Sequence, residues 1–142
     1  MTTKQYLNQI ARINRMINNK LAEIYQLKTM VCSISVSMNE DKVQTSQGND
    51  ILGNSVAKII DLENEINKAI DAYVNKKEQI ISQIDSIQDI MEYQVLFSRY
   101  IEFKTFEQIA VDNNYSVRQI LRIHGNALVE FEKKFGQEYL CH

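Results

Sequence analysis

From Tyr6 to Met38 apolar residues recur every three or four positions: Tyr6, Ile10, Ile13, Ile17, Ile24, Leu27, Val31, Ile34 and Met38. They occupy successive a and d positions of a heptad, with one interruption at Lys20, and Leu7 and Leu21 widen the stripe on one side. This spacing predicts a long helix that lays one face along a partner helix. Arg12, Arg15, Glu23 and Lys28 fall off the stripe, as a solvated face requires. Over residues 39–54, NEDKVQTSQGNDILGN, the pattern lapses. Two of the four glycines and a cluster of Asn, Asp, Ser and Thr there favour a loop, with Asp50 or Ser55 as the cap of the next helix.

The heptad returns at Val56, Ile59, Ile66, Ile70, Tyr73, Ile80, Ile84, Ile87 and Met91, with misses at Glu63 and Lys77. Two long helices with a short connection fold back as an antiparallel hairpin, here a coiled coil over residues 1–90. A turn centred near Gly48–Asn49 sets Ile13 against Ile84, Ile17 against Ile80 and Leu27 against Ile70. It also sets Lys20 opposite Lys77, an unfavourable pair unless Glu23 or Glu78 joins it or the register differs by a turn. Leu62, Ala69, Val74 and Ile81 flank the seam and need cover as well. The expectation is self-association, as a homodimer or a higher homo-oligomer.

Residues 91–142 read as three helices with two breaks. A helix over residues 87–103 packs through Val95, Leu96, Tyr100 and Ile101; Phe106, Ile109 and Ala110 belong to the next, with Ala110 small where two helices cross closely. Thr105 with Gln108, and Ser116 with Gln119, form capping boxes that open the two later helices. Asn113 and Asn114 between them tolerate the left-handed backbone of a tight turn. On the last helix Val117, Ile120, Leu121, Leu128 and Phe131 form the inward stripe. Two helices across a short turn, the second beginning S-x-R-Q, have the layout of a DNA-reading helix-turn-helix. Arg118 and Gln119 then stand in the first turn of the reading helix, where Arg suits guanine and Gln suits adenine. Arg122 and Asn126 share that face, Ser116 opens it, and Lys104 is placed for phosphate. The alternative is an ordinary solvated face. His124 lies beside the stripe as a hydrogen-bonded structural residue, and Gly125 in mid-helix suggests close approach of another helix.

VLFSRYIEFKTFEQIA, YSVRQILRI and the following NAL resemble region 4 of bacterial sigma factors. Nearly the whole chain is also similar to a family of small phage and prophage proteins of Gram-positive bacteria, through RIHGNAL and KVQTSQGNDILGNSVAKIIDLENEIN. That family is described in part as sigma-region-4-like or ArpU-type transcription regulators. The resemblance implies an all-α fold, a helical hairpin followed by a three-helix sigma-region-4-like unit, and a regulator of phage late genes that binds double-stranded promoter DNA. RNA polymerase is the alternative partner, and a packaging protein like the terminase small subunit a further one.

Charge tempers that expectation. Residues 1–90 hold ten Lys and Arg against eleven Asp and Glu, and residues 91–142 hold six against seven, so each part nets −1. With so few cations, non-specific affinity for DNA would be weak and salt-sensitive. Locally the balance differs: from Ser116 to Asn126 there are two arginines and no carboxylate. Hydrophobic content of 44% suffices for a core, and the absence of proline suits long helices. No apolar run approaches the roughly 18 residues of a membrane-crossing helix, and the first residues lack the apolar segment of a secretory signal. A cytoplasmic location in a bacterial host is therefore expected. Cys32, Cys141 and His142 complete no metal-ligand spacing. Neither a phosphate-binding glycine loop nor a nucleophile with a base is present, so no cofactor and no enzymatic activity are expected.

Overall fold

The computed structural model describes residues 1–40 and 46–140, with side-chain surroundings for residues 1–34 and 50–140. All regular structure among them is helical: α1 (Thr3–Leu7), α2 (Gln9–Glu40), α3 (Ser46–Asp85), α4 (Ile90–Leu96), a π-helical turn (Phe97–Ile101), α5 (Phe106–Asn113) and α6 (Val117–Tyr139). The fold is all-α. None of these helices is long and apolar enough to cross a membrane. By contacts the chain divides into two compact units, Met1–Ile13 with Tyr73–His142, and Asn14–Ala72. This cuts across the boundary expected at residue 90, because both the first residues and the end of α3 pack with the C-terminal helices.

In the unit Asn14–Ala72, α2 turns Ile17 and Ile24 inward and α3 turns in Ser55, Ile59, Leu62 and Ile66. Lys20 Nζ lies 2.6 Å from Glu65 Oε2, and Lys28 Nζ 3.6 Å from Glu63 Oε1. The two helices therefore pair in a different register from that of a turn at Gly48–Asn49: Lys20 meets a carboxylate, not Lys77. Gly48 and Asn49 lie inside α3, as do all of residues 46–54, while Asn39 and Glu40 end α2. Glycine costs a helix about 1 kcal/mol. Here that cost is outweighed by a helix whose Ser55, Ile59 and Leu62 are buried just beyond. Asp50 and Ser55 are thus helix-interior residues, not caps, and residues 41–45 of the expected loop lie outside the described residues. Leu62, expected at the flank, is in the seam, whereas Val56 and Ile70, expected in it, are exposed.

The other unit is built on the start of the chain, the end of α3 and α6. Tyr6, Leu7 and Ile10 share one buried cluster with Ile80, Ile84 and Ile87 and with Leu96, Tyr100, Ile101, Ala127, Phe131 and Tyr139. Thr2 caps α1 in a box with Gln5, and Thr3 Oγ1 and the Tyr139 hydroxyl are 2.8 Å apart. The Tyr6 and Tyr139 rings stack at 4.3 Å. The Tyr6 hydroxyl donates to Gln83 Oε1 at 2.7 Å, and Gln83 Nε2 donates to Glu138 at 2.8 Å. Ile84 accordingly packs with Tyr6 and Ile10 rather than facing Ile13. The helix expected over residues 87–103 starts at Ile90 and runs on through the π-helical turn to Ile101; before it, α3 stops at Asp85, Lys134 Nζ donates to the Ser86 carbonyl, and Asp89 caps α4 through Glu92 N. A second cluster, Val95, Ile109, Ala110 and Ile120, ties α4 to α5 and α6.

Candidate nucleic-acid interface

Local chemistry fixes the turn between α5 and α6. Thr105 Oγ1 accepts from Gln108 N at 3.2 Å while Gln108 Oε1 accepts from Thr105 N at 3.0 Å, and Ser116 and Gln119 repeat the exchange at 3.2 and 2.9 Å. Both sequence-predicted boxes form. Between the helices Asn114 adopts φ 59°, ψ 40°, the left-handed conformation its side chain tolerates, and Tyr115 N donates to the Ala110 carbonyl at 2.9 Å. Ala110, 4% exposed, lies in the α5–α6 contact as its size predicts.

The approach to α5 is held more elaborately than the sequence suggests. The π-helical turn brings Glu102 N to the Phe97 carbonyl at 3.2 Å, and Lys104 N reaches back to Ser98 O at 3.0 Å. Arg99 donates to the Lys104 carbonyl at 3.1 Å, and its guanidinium lies 4.4 Å from the centre of the Phe106 ring. Phe103 takes φ 60°, a left-handed value uncommon for a bulky side chain.

His124 fills the space behind α5. Its Nε2 is 2.7 Å from the Tyr100 hydroxyl, and Phe106 meets the ring edge-on at 4.9 Å. Burial, reinforced by the charges of Lys4 and Arg99, pushes its pKa down to about 4, so the imidazole is neutral at pH 7. Burial pushes Tyr100 up to about 12, so the phenol keeps its proton, and the imidazole tautomer sets which of the two groups donates in their hydrogen bond. This is the structural histidine expected. Gly125 differs from expectation: it is exposed, and a Cβ there would meet nothing within 4 Å. Leu121, expected inward, is 48% exposed, because the inward stripe runs through Ile120, Ile123, His124, Ala127 and Phe131.

Of the six candidate residues, Arg118, Arg122 and Asn126 are exposed along α6, and neither arginine forms an ion pair with a described residue. Ser116 and Gln119 are exposed but engaged with each other: Gln119 Oε1 also takes the Ser116 hydroxyl at 3.2 Å. A bidentate contact from Gln119 to adenine would have to release that cap, at a cost of about 1 kcal/mol. Lys104 is set apart from the other five. Its Nζ is 3.0 Å from Asp112 and 3.8 Å from Glu102, and the hydrogen bond to Asp112 holds its pKa above the usual lysine value. Its charge is thereby largely compensated for a phosphate. Among the described residues no group of three or more His, Cys, Asp or Glu converges as a metal site would require, and Cys141 and His142 lie outside them. No protein-family model matches the chain, and no curated protein or solved structure matches it.

Proposed function

We propose that α5, the turn at Asn114 and α6 act as a helix-turn-helix of the sigma-region-4 type, that α2 and α3 form an antiparallel coiled-coil hairpin, and that the chain is a non-catalytic regulator of phage or prophage transcription. The observation that carries this reading is the exposed start of α6. Arg118, Arg122 and Asn126 stand on one face in a stretch without a carboxylate, behind a doubly capped turn. Arginine at the N-terminal end of such a helix reads guanine O6 and N7 in the major groove. Arg118 is the foremost base reader and Arg122, one turn on, reads a base or clamps phosphate.

Selection of random duplex DNA by the purified chain at low salt tests this, with Arg118→Ala/Arg122→Ala as control and circular dichroism to verify its fold. An enriched motif that the control loses, with affinity lowered at least about tenfold, is the expected result; a palindromic motif would add the half-site spacing. No enrichment, or a motif the control retains, would refute it.

A second reading has its own observation. Val111 is 75% exposed and Leu121 48% exposed on α5 and α6, and the chain nets −2. Exposed apolar side chains on an acidic chain suit a protein partner, RNA polymerase first. Under that reading the alanine variant still captures polymerase and Leu121→Glu does not.

A further inference from the structure

Helix α3 carries two seams side by side. One, Ser55, Ile59, Leu62 and Ile66, is buried against α2. The other is displaced by a single residue along the chain: Val56, Ile60, Glu63, Asn67 and Ile70, spaced four, three, four and three apart, the repeat of a coiled-coil seam. Val56, Ile60 and Ile70 are 41%, 53% and 41% exposed. On α2, Leu21 and Tyr25 likewise sit one residue beyond the buried seam, 49% and 73% exposed. The Lys28–Glu63 ion pair shows that the two exposed stripes share one face of this unit. Lys28 lies seven residues from Leu21 and three from Tyr25, and Glu63 lies three from Ile60 and seven from Val56 and Ile70, so both continue those stripes.

We infer that this face is the contact surface for a second copy of the chain, packed across a two-fold axis level with Glu23 and Glu65. Three observations select that occupant. A two-fold contact requires each patch to be complementary to itself, with residue i meeting j and j meeting i. Leu21 and Tyr25 are equidistant from position 23, and Ile60 and Ile70 from position 65. The pairings Lys20–Glu65 and Lys28–Glu63 place those two positions at the same height along the helix pair. One axis therefore satisfies both helices, setting Leu21 against Tyr25 of the second copy and Ile60 against Ile70.

Charge permits the same arrangement. Glu63 falls opposite Asn67 and so opposes no like charge, while Glu65 is turned to Lys20. The area is also sufficient. Five side chains about half exposed offer on the order of 400–500 Å² per copy, so the pair would bury close to the roughly 1,000 Å² of a specific interface. This inference stands whether or not α6 reads DNA.

Sedimentation equilibrium of the full chain tests it, with circular dichroism confirming helix content in each variant. The wild type is expected at twice the 16.5 kDa chain mass. Leu21→Glu alone and Tyr25→Lys alone are each expected to weaken the dimer at least about tenfold. The double variant Leu21→Glu/Tyr25→Lys is expected to recover much of the loss, because the two positions meet across the axis. A monomeric wild type, a dimer indifferent to the single substitutions, or a double variant weaker than either single one would each overturn the inference.

Discussion

His124 makes the stability of the C-terminal helices depend on acid in a calculable way. Its folded pKa is about 4 against the ordinary histidine value of 6.5. Above pH 6.5 the imidazole is neutral in both states and costs nothing. Between pH 6.5 and 4 the unfolded chain binds a proton that the folded chain refuses, so stability falls as pH drops, by about 1.4 kcal/mol per pH unit. From pH 7 to pH 5 the expected loss is 1–2 kcal/mol, roughly one tenth to one third of a domain's stability. His124→Gln removes the titration and keeps an amide, donor and acceptor, within reach of the Tyr100 hydroxyl. Urea unfolding of both proteins at pH 7, 6 and 5 gives the difference directly. Groups such as Glu92, whose carboxyl is pushed up by burial and by Asp89, cancel between them. The wild type should lose 1–2 kcal/mol more than the variant by pH 5, and the His124 ring proton resonances should stay unshifted to that pH. Parallel profiles for the two proteins, or a ring titrating near pH 6.5, would refute the reasoning.

Tyr100→Phe removes the hydrogen-bond partner of His124 Nε2 and leaves a buried ring nitrogen unpaired, so about 1–3 kcal/mol of stability should be lost in thermal or urea unfolding at pH 7. Asn114→Ala should cost about 1 kcal/mol through its left-handed backbone, whereas Asn114→Gly should stay within about 0.5 kcal/mol of the wild type; differential scanning calorimetry separates the two. Glu102→Gln/Asp112→Asn releases the Lys104 ammonium and removes two nearby negative charges. If the α6 face reads DNA, affinity in a low-salt titration should rise severalfold, and the gain should fade with added salt.

What the sequence disclosed about this fold was what neighbours along the chain decide. Thr105 with Gln108 and Ser116 with Gln119 lie three residues apart, so their boxes are visible without any tertiary information, and the left-handed Asn114 follows from its place between them. The stripe on α6 was right at Ile120 and Phe131 but wrong by 100° at Leu121, since His124 and Ala127, polar and small, were not counted as core. Periodicity also cannot tell which of two adjacent seams is buried, and this exchanged Leu62 for Val56 and Ile70. The helix over residues 46–54 overrides its turn-forming composition through burial further along, a distant cause. The engagement of Gln119 in its cap was implicit in the box, whereas the ion pair of Lys104 with Asp112 depends on how α5 folds back.

Thr3 and Tyr139 meet across 136 positions of sequence, and Tyr6 and Leu7 are packed beside Phe131. On a ribosome adding about 5–20 residues per second, the first residues made would wait roughly 7 to 27 seconds for the helix that covers them. The segment Asn14–Ala72 emerges during that interval with its internal ion pairs complete. Vectorial synthesis thus reverses the apparent order of assembly: the middle of the chain can settle first, and the earliest-made turn is among the last to be buried. Until then Tyr6, Leu7 and Ile10 are the apolar surface that a nascent-chain chaperone would encounter.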